Sequence, residues 1–143
     1  MQKLNLWLAY AQNDLKAAQV PLVSGDVSIA SVLYCAQQSA EKALKAYLFA
    51  QNVPIPRTHD LIKLVDACSL FDSEFETIRI RAGALNPLST TTRYPEHFLS
   101  MLHTIVADQA IGYARQILEF SEMKIASSAP SYKMPKKQIL KQI

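Results

Sequence analysis

Ala36-Gln37-Gln38-Ser39-Ala40-Glu41-Lys42-Ala43-Leu44-Lys45-Ala46-Tyr47-Leu48 is the stretch on which the fold turns. With Ile29 and Leu33 upstream, Ala36, Ala40, Ala43 and Tyr47 alternate four and three residues apart, so they share one stripe of a helix. Leu44 and Leu48 widen that stripe. Ala36, Ala40, Ala43 and Ala46 are small enough for a neighbouring helix to approach closely. Gln38, Glu41, Lys42 and Lys45 fall on a polar face, where Gln38–Lys42 and Glu41–Lys45 are each four apart and stand on one side. The spacing predicts a helix over 27–52, with Asp26 as its cap. It must end before Pro54-Ile55-Pro56, because Pro56 biases Ile55 toward extended backbone.

Working outward, Leu4, Leu8, Ala11, Leu15 and Ala18 repeat the same spacing and predict a first helix over 2–19. Trp7 lies beside that stripe. Pro21 and Ser24-Gly25-Asp26 are expected to break the helix. Downstream, Leu61, Leu64, Val65 and Cys68 mark the inner side of a short helix over 59–68, with Thr58 as its expected cap. Ser73 and Glu76 have the spacing of a capping box for a further helix ending by Asn86. The loop Leu88-Ser89-Thr90-Thr91-Thr92 leads to Arg93-Tyr94-Pro95, where Pro95 and Glu96 suit a helix start. The last helix is expected over 96–124, striped by Leu102, Val106, Ala110, Tyr113, Ile117 and Phe120. The architecture expected is all-α: an antiparallel up-and-down four-helix bundle with an extra short helix. It occupies residues 1–125 and is followed by a basic tail, 126–143.

Composition fits that reading. The 143 residues are 50% apolar, enough for one core, and contain only 3 glycines and 7 prolines. The net charge of +3 is unevenly spread: four of the 15 basic residues, Lys133, Lys136, Lys137 and Lys141, stand in the tail, leaving 11 against 12 acids elsewhere. Such a tail either is a solvated terminus or touches RNA, a membrane surface or an acidic partner. No stretch approaches the roughly 20 apolar residues of a membrane span, and nothing resembles a secretory leader. Cys35 and Cys68 occupy apolar helical positions without a CxxC or Cys/His cluster, so they read as core residues in a cytoplasmic protein. No metal-ligand spacing, cofactor motif or glycine-rich phosphate loop is present; Gly25, Gly83 and Gly112 are isolated.

Trp7, Ala11, Asp14 and Leu15 in the first helix, the run 36–48, Thr58-His59-Asp60-Leu61 and Thr92-Arg93-Tyr94-Pro95 follow in order. Together they resemble the HEPN family, in the branch encoded beside minimal nucleotidyltransferases. The resemblance covers residues 1–124. It implies a helical bundle, often a homodimer, with one of two roles. One is a nucleotide- or substrate-binding subunit for a nucleotidyltransferase partner. The other is a metal-independent ribonuclease, the toxin of a toxin–antitoxin pair. The nuclease members carry an Arg, four to six intervening residues and a His, two such motifs meeting at the dimer interface. Here the positions after Arg93 that should supply His are Phe98, Leu99 and Ser100. His97 follows Arg93 after only three residues, and one residue is about 100° around a helix.

Arg93 is the leading candidate for binding phosphate, since a guanidinium at a helix start can grip an anion in bidentate fashion. The alternative is that Arg93 pairs with a carboxylate and orders its loop. Tyr94 either stacks on a base or staples the chain to the helix. Lys42 and Lys45 would add positive charge if their face looks toward Arg93, with Gln38 and Glu41 beside them and Glu41 able to tether the arginine. The alternative is a solvated face with an exposed ion pair. In a ribonuclease, Arg93 and His97 would be catalytic, the arginine stabilising charge on the scissile phosphate and the histidine deprotonating the ribose 2′-hydroxyl. His59 is expected to cap the short helix or bond a neighbouring one.

Overall fold

A computed structural model describes residues 2–24, 29–86 and 104–127. These contain α1 (Gln2–Ser24), α2 (Ile29–Ala50), α3 (Leu61–Ser69), a 3₁₀ turn (Ser73–Ile78), α4 (Arg79–Leu85) and α5 (Thr104–Ser127), and no strand among the described residues. Helix α2 is the central post, packed against both α1 and α5. Its alanines explain the closeness: Ala36, Ala40, Ala43 and Ala46 are fully buried, as are Ala11 of α1 and Ala114 of α5. The four-residue link between α1 and α2 makes them antiparallel neighbours. The start of α2 and the start of α5 share one small cluster, Val32 with Ala107 and Ile111. Their far ends meet through Tyr47, Phe75 and Phe120. Helices α2 and α5 therefore run the same way. Between them α3 and α4 fold back on each other, and Asn86 at the end of α4 touches the start of α3.

Four local expectations are corrected. Helix α1 does not stop at Gln19 but continues through Pro21 to Ser24. Proline in the last turn removes a single backbone donor, which a helix tolerates better there than in its middle. Helix α3 starts at Leu61 and its cap is Asp60, whose carboxylate accepts from the backbone N–H of Ile62 and Lys63. Thr58 instead accepts from the Asp60 N–H at 3.1 Å. The expected Ser73–Glu76 capping box does not form. Asp72 caps a 3₁₀ turn, and Glu76 turns outward to Arg79 at 2.6 Å. Helix α2 ends as expected before its prolines. Asn52, at φ 61°, adopts the left-handed conformation that closes a helix, and Val53 beyond it is buried. The expected cap Asp26 and the start of the last helix at 96–103 lie outside the described residues.

Candidate functional site

The polar face of α2 is not one surface. Gln37, Glu41 and Lys45, each four residues apart, form a ladder turned into the protein, and they are 0%, 3% and 7% exposed. The Lys45 ammonium donates to Glu41 Oε2 at 3.1 Å. Glu41 Oε1 meets Nδ1 of His59 at 3.0 Å, while Gln37 Nε2 donates to the His59 backbone carbonyl at 3.2 Å. Both bonds reach the stretch just before α3, so α2 holds the histidine by its ring and by its backbone. The His59 side chain nevertheless remains 77% exposed. A buried carboxylate with a cation on one oxygen and an imidazole on the other is thus covered by a ring that opens to solvent.

Gln38 and Lys42 lie one step around the helix. Gln38 is half-exposed, and so is the Lys42 side chain. Gln38 Nε2 donates to the Gln37 side-chain oxygen at 2.7 Å. Lys42 pairs with Asp14 of α1 at 2.6 Å and lies 5.8 Å from the centre of the Tyr10 ring. Deeper in the same seam, the Ser39 hydroxyl donates to the Ala11 carbonyl at 2.7 Å and fixes α1 against α2. Cys35 sits beside these charges as a free, half-buried thiol. Burial raises its pKa, Asp14 raises it further and Lys42 opposes them. Burial also pushes the free thiol of Cys68 well up.

Of the residues singled out in the sequence, α2 therefore brings together Glu41 and Lys45, and it separates them from Gln38 and Lys42. The Glu41–Lys45 pair is buried rather than exposed on a solvated face, and His59 bonds its carboxylate. His59 does bond a neighbouring helix. Arg93, Tyr94 and His97 lie outside the described residues, as does the tail beyond Ser127. Sequence reasoning misses the contribution of Gln37, although the repeat Gln37–Glu41–Lys45 at intervals of four is there to be read. Asp14 as the partner of Lys42 joins two helices and leaves no local signal. Among the described residues no group of three or more His, Cys, Asp or Glu is placed to hold a metal, and no helix is long and apolar enough to cross a membrane.

A HEPN domain model matches residues 4–124. The chain belongs to the HEPN family. Among solved structures it is similar to TT1696 from Thermus thermophilus, with 29% identity and a TM-score of 0.72 over 87% of this chain and 99% of that one. No curated protein matches the sequence. Membership of the HEPN family ties the chain to nucleotide- or RNA-related function in general, and the matched span includes the whole α2 polar seam with His59.

Proposed function

We propose that this HEPN chain binds the phosphates of a nucleotide or RNA and serves as the substrate-binding partner of a separate nucleotidyltransferase, in a toxin–antitoxin pair. The observation that carries this reading is the α2 seam. A bundle built only for stability has no use for a buried Glu41–Lys45 pair, since apolar residues of similar volume do as well or better. A buried pair that adds little to stability is better explained by the residue it positions, here His59. Lys42, at the edge of the seam and more exposed than Lys45, would have to exchange its Asp14 partner for a phosphate. Lys45 is already matched by Glu41 and acts by holding that carboxylate in place. Arg93, Tyr94 and Gln38 complete the proposed contact set, with residues 1–125 as the binding domain and 126–143 as a basic appendage.

The homodimer belongs to the same proposal. Leu6, Tyr10, Asn13, Ala17 and Val20 repeat at four-three spacing along α1 and are all exposed. With Tyr34 of α2, also exposed, they offer a helical seam of the kind two copies can share.

The test is a titration of the purified protein with fluorescent RNA and with a labelled nucleotide, run without added metal beside Arg93→Ala, Lys42→Ala and His97→Ala. Saturable binding that weakens in Arg93→Ala and Lys42→Ala, with the RNA left intact, is the expected result. Cleavage lost in both Arg93→Ala and His97→Ala would make the protein a ribonuclease instead. An absence of binding to either probe would sink the proposal.

A further inference from the structure

His59 is held in a manner that decides which of its two nitrogens carries the proton. Glu41 is a buried carboxylate and, when ionised, can only accept hydrogen bonds. It already takes one from Lys45 on Oε2, and its Oε1 stands 3.0 Å from His59 Nδ1. The neutral imidazole must therefore place its hydrogen on Nδ1, which leaves Nε2 with a bare lone pair. The side chain is 77% exposed, so that lone pair is accessible. The Glu41 bond holds the ring, and Gln37 on the His59 carbonyl and the Asp60 cap fix the backbone from which it projects.

We infer that His59 Nε2 is a sugar-recognition point, accepting a hydrogen bond from a ribose hydroxyl of bound RNA. The inference rests on the nucleotide- or RNA-binding reading above and adds the chemical group that is read. A bare lone pair repels phosphate oxygens and needs a donor. On a nucleotide the donors are sugar hydroxyls and base N–H groups, and only the hydroxyl is common to every ribonucleotide. The 2′-hydroxyl is also the group that distinguishes RNA from DNA at a given contact. Arg57, exposed in the same connection, is two residues away, at most about 7 Å along the chain. That is a suitable separation for a cation to take the phosphate beside the recognised sugar. Glu41, Lys45 and Gln37 are positioning residues, since they act through the ring, its carboxylate or its backbone.

The experiment compares fluorescein-labelled RNA and DNA oligonucleotides of one sequence by anisotropy, using the full chain and His59→Asn. The asparagine amide can still donate to Glu41 but has nothing in place of Nε2. The full chain should prefer RNA by about tenfold, the scale of one well-placed hydrogen bond. His59→Asn should bind DNA as before and lose the preference. Nitrogen chemical shifts of labelled histidine give a reading free of any variant: Nδ1 should be protonated in the free protein, and Nε2 should be the nitrogen that responds to RNA. Equal binding of RNA and DNA by the full chain would overturn the inference and leave the proposed function standing. A preference retained in His59→Asn would also overturn it. Binding of neither oligonucleotide would overturn both.

Discussion

Two regions of α2 less than two turns apart solve the problem of burial in opposite ways. At Tyr47 the helix meets an aromatic neighbourhood. The Tyr47 and Phe75 ring centres are 4.4 Å apart, and Phe75 stands edge-on to Phe120 at 5.0 Å. At Glu41 the helix buries a charge, and its carboxylate is held by polar partners: Lys45, His59 and, through the His59 backbone, Gln37. The aromatic region is stabilised by area removed from water and by ring geometry. The polar region must first recover the cost of stripping water from two ions. Stability accounts for the first region. On the function proposed above, the second is kept for what it holds at the surface, which is His59.

The sharpest way to separate the two is the sign of coupling between paired substitutions. Phe75→Ala should cost about 3–5 kcal/mol, as for any large buried aromatic. Adding Phe120→Ala should cost more again. Glu41→Ala should also cost about 3–5 kcal/mol, because it leaves the Lys45 ammonium buried without its partner. Removing both charges together, in Glu41→Met/Lys45→Met, should recover most of that loss. Urea unfolding of the four variants measures this directly. If the double charge variant is as unstable as Glu41→Ala, the polar region is a structural brace and its link to function loses its main support.

A smaller effect is expected at Ser39, whose hydroxyl bonds the Ala11 carbonyl at 2.7 Å between α1 and α2. Ser39→Ala removes one buried hydrogen bond and leaves a helical carbonyl that keeps its place in the backbone. The cost should be about 1 kcal/mol, read as a shift in the urea midpoint without a change in slope. A loss of several kcal/mol would mean that the seam between α1 and α2 is far less tolerant than its alanine packing suggests.

How much of this is legible in the sequence follows from the range of each interaction. The α2 stripe, the inner face of α3 at Leu61, Leu64, Val65 and Cys68, and the helical ending at Asn52 depend on residues close in the chain, and periodicity exposes them. The cap of α3 is misread because Thr58 and Asp60 are both competent acceptors, and the choice rests on Asn86, 26 residues downstream, whose amide donates to Asp60 at 3.0 Å. The Ser73–Glu76 spacing misleads for a similar reason. Glu76 has a better partner in Arg79, which also reaches Asp66. At the candidate site, the α2 residues are recognisable as a polar face, but their split into a buried ladder and a half-exposed edge is not. That split is made by His59 and Asp14, which come from other segments, and no spacing within α2 encodes it.

The least consequential polar group shows what a surface network does by contrast with Glu41. Glu76 is exposed and accepts two hydrogen bonds from Arg79, at 2.6 and 2.8 Å. Those bonds, against burial and helped by Ser69 and the Arg79 charge, pull its pKa from 4.5 to about 2. Asp72 behaves alike: burial would raise it, but the bond from Lys124, the Glu74 backbone N–H and the Lys124 charge outweigh burial and lower it. A carboxylate whose folded pKa is depressed contributes stability that is fully present above its unfolded value and is lost as pH falls through the folded one. For Glu76 the window therefore runs from about pH 4.5 down to about 2. Arg79→Met should flatten the fall of the urea midpoint across that window by lowering the midpoint at pH 7 and leaving it unchanged at the acid end, and the loss at pH 7 should be small because exposed pairs are screened. A large loss at pH 7 would place the Arg79 network in the same class as Glu41–Lys45 and break the distinction between charge kept for stability and charge kept for a site.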